Sequence, residues 1–164
     1  MAARAHALKE EVIGKVITLA RERLPRGKSV PAEKFVRQYY ANVSPDDIVN
    51  EDIDQLYGAA LAFYNFARTR ESAKPKIRAY NPRLEDHGWK SNHTVIEIVN
   101  DDMPFLVDSV TAELNRRELT VHLIIHPVMR LKRDAKGNLA ELHVPADAPD
   151  GMVSESYMHV EIEE

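Results

Sequence analysis

The apolar residues of this chain change their spacing part way along it, and that change restricts the fold more than any other feature. Up to about Arg70 they recur every three or four residues, the repeat of a helix that buries one face. Beyond Ser72 they alternate with polar residues or gather in β-branched runs, which is the repeat of strands. An α+β protein is therefore expected, with a helical N-terminal segment over 1–73 and an α/β module over 74–164. Lys74-Pro75-Lys76 reads as the linker between them.

In the first segment Leu8, Val12, Ile13, Val16, Ala20 and Leu24 form one stripe, ended by Pro25 and Gly27. A second helix is expected from Pro31, with Phe35, Val36, Tyr39 and Tyr40 on one side. Ser44-Pro45-Asp46-Asp47 offers a capping hydroxyl, a proline at the first helical position and acids in the first turn. A third helix is expected from there to about Arg70, passing through Ile53, Leu56, Tyr57, Ala60, Phe63, Tyr64 and Ala67. Its aromatic residues are expected to pack between helices.

In the second segment Lys76 to Tyr80 reads as a short strand and Asn81-Pro82 as a turn. Thr94 to Val99 is a β-branched, roughly alternating strand. A helix is expected over Phe105 to Glu118, with Leu106, Val107, Val110 and Leu114 buried. Thr120 to Leu131 reads as the next strand, and Asp134 to Asn138 as a turn into a strand over Leu139 to Val144. Pro145 to Gly151 is a polar loop, and Tyr157 to Ile162 a final strand. The order strand, helix, strand, strand is the opening of a β-α-β-β-α-β (ferredoxin-like) sandwich without its last helix and strand. In the usual strand order the absent strand would flank Thr94 to Val99. That edge is expected to be open unless Lys76 to Tyr80 or a second chain covers it, and a homo-oligomer is expected on that ground.

Composition removes several function classes. The 164 residues include no cysteine, which excludes disulfides, thiolate catalysis and cysteine-ligated zinc. The net charge is -4 and the basic residues are scattered, so nucleic acid is not an expected partner. Arg21, Arg23, Arg26 and Lys28 form the densest basic group and read as a solvated helix end. No apolar run approaches the roughly 18 residues that span a bilayer. Met1 to Glu11 has no signal-peptide stretch, so a cytoplasmic protein without a membrane partner is expected. All six glycines are isolated, so no dinucleotide fingerprint is present and no cofactor is expected in this chain. The serines lie in no nucleophile-elbow context. A complete active site is not expected, and no residue is assigned a catalytic role.

Two constellations stand out. Asp101, Asp102 and Asp108 surround the start of the expected helix, where Asp102 could cap it and Asp101 could favour its dipole. The same three acids could instead recognise a ligand amine or a metal. His122 and His126 sit four apart on an expected strand, hence on one face, and are weak candidates for a metal or a neutral-pH titration, with His159 able to join them. Trp89 is expected to cover the core.

Gly88-Trp89, the run from Thr94 to Val110 with Asp101-Asp102-Met103-Pro104-Phe105-Leu106-Val107-Asp108 at its centre, and Val121 to Val128 resemble the N-terminal region of the large bacterial NAD-specific glutamate dehydrogenases. The helices before them and Glu155 to Ile162 resemble the same region. The resemblance implies a long cytoplasmic parent that deaminates glutamate to 2-oxoglutarate with NAD, its catalytic domains lying outside this chain. It implies that this chain is a regulatory or assembly region built on an ACT-like module, with the rest of the parent polypeptide as its partner and an amino acid as a possible effector. A module that only assembles, and binds no small ligand, is the alternative. ACT modules often carry Asp-x-Pro-Gly-Leu-Leu between first strand and helix; the corresponding residues are Asp102-Met103-Pro104-Phe105-Leu106-Val107. Asp101 to Leu106 and Asp108 would then form the regulatory ligand loop. Phe105 replaces the glycine that elsewhere lets backbone approach the ligand closely.

Overall fold

A computed structural model describes residues 1–144 and 148–164. The chain begins with helix α1 (Ala2–Arg23), α2 (Arg26–Tyr40), a 3-10 turn (Pro45–Asp47) and α3 (Ile53–Ala67). Strand β1 (Lys76–Tyr80), the single turn α4 (Leu84–His87), β2 (His93–Asp101) and α5 (Leu106–Arg116) follow. The chain then forms β3 (Val121–Ile125), β4 (Val128–Arg133), β5 (Leu139–His143) and β6 (Val153–Glu163). None of the helices is long and apolar enough to cross a membrane among the described residues. Residues 145–147, within the loop expected over Pro145 to Gly151, lie outside the described residues.

Three expected boundaries move. Helix α2 starts at Arg26, ahead of Pro31, which sits inside it; extended Pro25 already turns the chain into the helix. The Ser44 to Asp47 signal starts only the 3-10 turn, while α3 starts at Ile53, where the Asp52 carboxylate accepts a hydrogen bond from the Asp54 amide at 2.8 Å. The strand expected over Thr120 to Leu131 is two strands. It breaks at His126-Pro127, where proline has no N–H for the ladder, and the Tyr157 amide donates to the Pro127 carbonyl at 3.0 Å.

All the strands are antiparallel, in the order β1-β2-β6-β4-β5. The long β6 carries β3 beside residues 159–162 and β4 beside residues 153–156 on the same edge. Strand β2 lies between β1 and β6, so its expected open edge is covered. β1, pairing Lys76 with Val99 through Tyr80 with Val95, occupies the place where the sandwich would set its last strand. Self-pairing along that edge is thereby removed.

Alternation gives the sheet two unlike faces. Met158, Val160 and Ile162 of β6, with Ile96 and Ile98 of β2, pack under Leu106, Val107, Val110 and Leu114 of α5. The opposite face, with Val99, Met129, Leu131 and Tyr157, packs on α1, α2 and α3 around Phe35, Tyr39 and Phe63. One continuous core thus joins the N-terminal helices to the strands.

Candidate functional site

The helix-side face of the sheet also buries charge. Reading β6 at every second residue gives Glu155, Tyr157, His159 and Glu161; β2 adds Val95, Glu97 and Val99. Glu97, Glu155 and His159 are at most 2% exposed. Isolated charges at such depth are strongly disfavoured, so each must have partners.

Around Glu155 those partners are two guanidinia. Arg70, itself 4% exposed, donates to Glu155 at 2.8 Å and to Asp101 at 2.9 Å, and its Nε donates to the Lys74 carbonyl at 2.7 Å. Arg133 engages the same carboxylate with two nitrogens, at 2.9 and 3.0 Å, and the Tyr157 hydroxyl donates to it at 3.0 Å. The cluster pins the end of α3 to β2, β4 and β6.

A second chain of charges runs along the other half of the sheet. Arg78 of β1 donates to Glu97 at 2.5 Å. Glu97 lies 3.6 Å from His159 Nδ1, and His159 Nε2 lies 3.1 Å from Glu161. Glu161 in turn meets His93 at 3.4 Å, and the His93 and His122 rings stack with centroids 4.1 Å apart. Burial alone would lower the His159 pKa; the hydrogen bond to Glu161 and the nearby Glu97 carboxylate outweigh it and raise the value. Burial would raise Glu161, but His159 and then His93 hold it below the usual carboxylate range. Both shifts favour the charged forms of the pair.

This chain of charges opens into a cavity of about 430 Å³ between the sheet and the helical layer. His159 and Glu161 form its floor, Trp89 and Tyr39 its walls, and Asp47 and Glu51 its rim. Trp89, expected to cover the core, is buried against Ala59 and Val95 and donates to the Tyr80 hydroxyl at 3.2 Å.

The residues singled out from sequence fall elsewhere. Asp101 ends β2 and pairs with Arg70 instead of favouring the α5 dipole. Asp102 does not cap α5; its backbone amide donates to the Ser154 carbonyl at 3.1 Å. The N-cap is Phe105, at φ 64° and with no side-chain cap bond, and it is 76% exposed. Met103 and Pro104 are exposed beside it, Leu106 is partly buried under the helix, and Asp108 is exposed in the first turn of α5. His122 and His126 do not share a strand face, because β3 ends at Ile125 and leaves His126 in the break before β4. His122 pairs with His93 instead, and no group of three or more His, Asp or Glu side chains among the described residues is arranged to hold a metal. The cavity, Arg70 and the buried Glu97 and Glu155 were not singled out from sequence, and His159, weighed there as a companion of His122 and His126, meets Glu97 and Glu161 instead. The signal that could have found them is the alternation of Glu155, Tyr157, His159 and Glu161 on a strand whose opposite face carries Met158, Val160 and Ile162.

An antiparallel sheet with one crossover helix on one face and three further helices on the other defines an α+β protein built on a partial ACT-like fold. The sequence model of the glutamate dehydrogenase ACT1 domain matches residues 35–164, and the chain belongs to that family. It is 38% identical over 141 residues to the NAD-specific glutamate dehydrogenase of Halomonas elongata, a match that covers 86% of this chain and 9% of that protein. The NAD-specific glutamate dehydrogenase of Pseudomonas aeruginosa is 36% identical over 129 residues, covering 79% of this chain and 8% of that protein. The chain thus spans less than a tenth of the length of either relative. No solved structure matches it.

Proposed function

We propose that this chain is the N-terminal regulatory and assembly region of an NAD-dependent glutamate dehydrogenase, which deaminates glutamate oxidatively to 2-oxoglutarate in the cytoplasm. The observation that carries the reading is the family match over residues 35–164, which takes in the sheet and two of the helices packed on it. In this reading NAD and catalysis belong to the rest of the polypeptide, which is also the first partner of this region. The loop from Asp101 to Asp108 is its effector loop, and a free amino acid is the effector class. The test uses a glutamate dehydrogenase carrying this chain. Phe105→Glu is expected to alter its response to added amino acids, or its assembly, while turnover without effector is retained. Loss of turnover alone, with response and assembly intact, contradicts the reading.

A second reading, self-association without a small ligand, is favoured by one feature. Phe105, 76% exposed, and Met103, 47% exposed, present an apolar tip at the head of α5. Sedimentation that is concentration-dependent for the chain and not for Phe105→Glu supports it; identical sedimentation of the two removes it.

A further inference from the structure

The cavity beside His159 and Glu161 lies at the opposite end of β2 from the Asp101 to Asp108 loop, roughly 25 Å along the strand. We propose that this cavity is a binding site for a small organic cation, a molecule of about the size of an amino acid that carries a primary ammonium group. The inference goes beyond the regulatory reading and holds whether or not binding alters an enzyme's rate.

Three observations carry it. First, the space suits such a ligand: about 430 Å³ falls within the range of small-molecule sites, and aromatic walls flank the polar floor. Second, among the described residues the Tyr39 hydroxyl has no hydrogen-bond partner, although Tyr39 is 1% exposed and lines the cavity. Buried tyrosines nearly always satisfy that group, and a polar ligand atom would do so here. Burial holds the phenol pKa well above its ordinary value, so it remains a hydroxyl able to donate or accept.

Third, the charges select the sign of the ligand. Asp46, Asp47, Glu51 and Glu161 line the cavity together with Lys90, His93, His122 and His159. Glu161 is already answered by His159, but Asp46, Asp47 and Glu51 have no salt-bridge partner among the described residues. A rim of unpaired carboxylates attracts a cation and repels an anion. Among the described residues no group of side chains is arranged to hold a bare metal ion, whereas an alkylammonium suits a cavity lined by the aromatic residues Trp89 and Tyr40.

The test is calorimetric titration of the chain with L-lysine and, separately, with succinate, a dianion of similar size. Lysine is expected to bind saturably and succinate not at all. The rim double variant Asp47→Asn/Glu51→Gln should weaken lysine about tenfold or more, as loss of charge-assisted bonds does. Tyr39→Phe should weaken lysine several-fold while leaving the unliganded melting temperature unchanged or raised, because its hydroxyl bonds none of the described residues. Absence of lysine binding at millimolar concentration, binding of succinate in its place, or lysine binding indifferent to both variants overturns the proposal. Lysine binding lost in Phe105→Glu and retained in the cavity variants would move the ligand to the loop, overturning this inference while sustaining the regulatory reading.

Discussion

Glu97 of β2 and His159 of β6 are direct cross-strand partners whose side chains, 0% and 1% exposed, meet with 3.6 Å between carboxylate and imidazole. Charge this deep is tolerated because Arg78 approaches Glu97 from one side and Glu161 approaches His159 from the other. Removing one member leaves the others buried and incompletely answered.

Glu97→Gln is therefore expected to lower stability by about 3–5 kcal/mol, the usual effect of breaking a buried pair. Glu141→Gln, in the more exposed pair with His143, is expected to stay within about 0.5 kcal/mol of the parent. Urea unfolding of the two variants side by side checks the contrast.

The same residues predict how stability follows pH. The His159 pKa is raised on folding, so its contribution is complete below the ordinary value of 6.5 and is lost as pH rises through the folded value. The Glu161 pKa is lowered, so its contribution is complete above the ordinary value of 4.5 and is lost as pH falls through the folded value. These two groups together favour the fold most between about pH 4.5 and 6.5. Unfolding free energies measured from acid to alkaline pH should decline above that window in the parent. The decline should flatten in His159→Gln, and an unchanged decline would assign the titration to another group.

Gly58 lies within α3, where alanine would ordinarily add about 1 kcal/mol of helix propensity. Here an added Cβ would collide with the Gly88 carbonyl oxygen and the Trp89 Cβ, and Gly88 backbone cannot yield as a flexible side chain would. Gly58→Ala is expected to destabilise by about 1–3 kcal/mol despite its propensity. The shift should also displace Trp89 from the cavity wall, visible as a change in the emission of the only tryptophan.

Phe105 holds a left-handed backbone conformation, φ 64°, that costs a non-glycine residue roughly 1–2 kcal/mol. Its ring is exposed and recovers little of that by packing. Phe105→Gly should raise stability by about 1 kcal/mol. A fall in the melting midpoint instead would mean that the ring makes contacts that stabilise this loop.

The layers were legible in the sequence because apolar repeats report burial directly: the stripes of α1 and α3 and the alternation of β2 stand where they were expected. Local signals misled where a stronger neighbour decided the geometry. Ser44-Pro45-Asp46-Asp47 carries the features of a helix start, yet Asp52 caps the helix. Asp101 and Asp102 read as helix-start acids, yet Arg70, some thirty residues away, claims Asp101. The pairing of β1 with β2 was open in sequence, since a five-residue strand can dock on either free edge. The cavity was not legible because its walls come from α2, the 3-10 turn, α3, β2, β3 and β6, which meet only on folding. His122 illustrates the loss: sequence spacing pointed to His126, while the sheet brings it to His93.

The proposed role has this region sense or assemble and leaves the nicotinamide cofactor to the rest of the polypeptide. The most direct measurement is a thermal melt of the chain against free amino acids and against NAD. A ligand at about a hundred times its dissociation constant adds roughly 2.7 kcal/mol, enough to move the midpoint by about 5 °C or more. The account predicts such a shift with at least one amino acid and an unmoved midpoint with NAD. A midpoint raised by NAD and unmoved by every amino acid would contradict it.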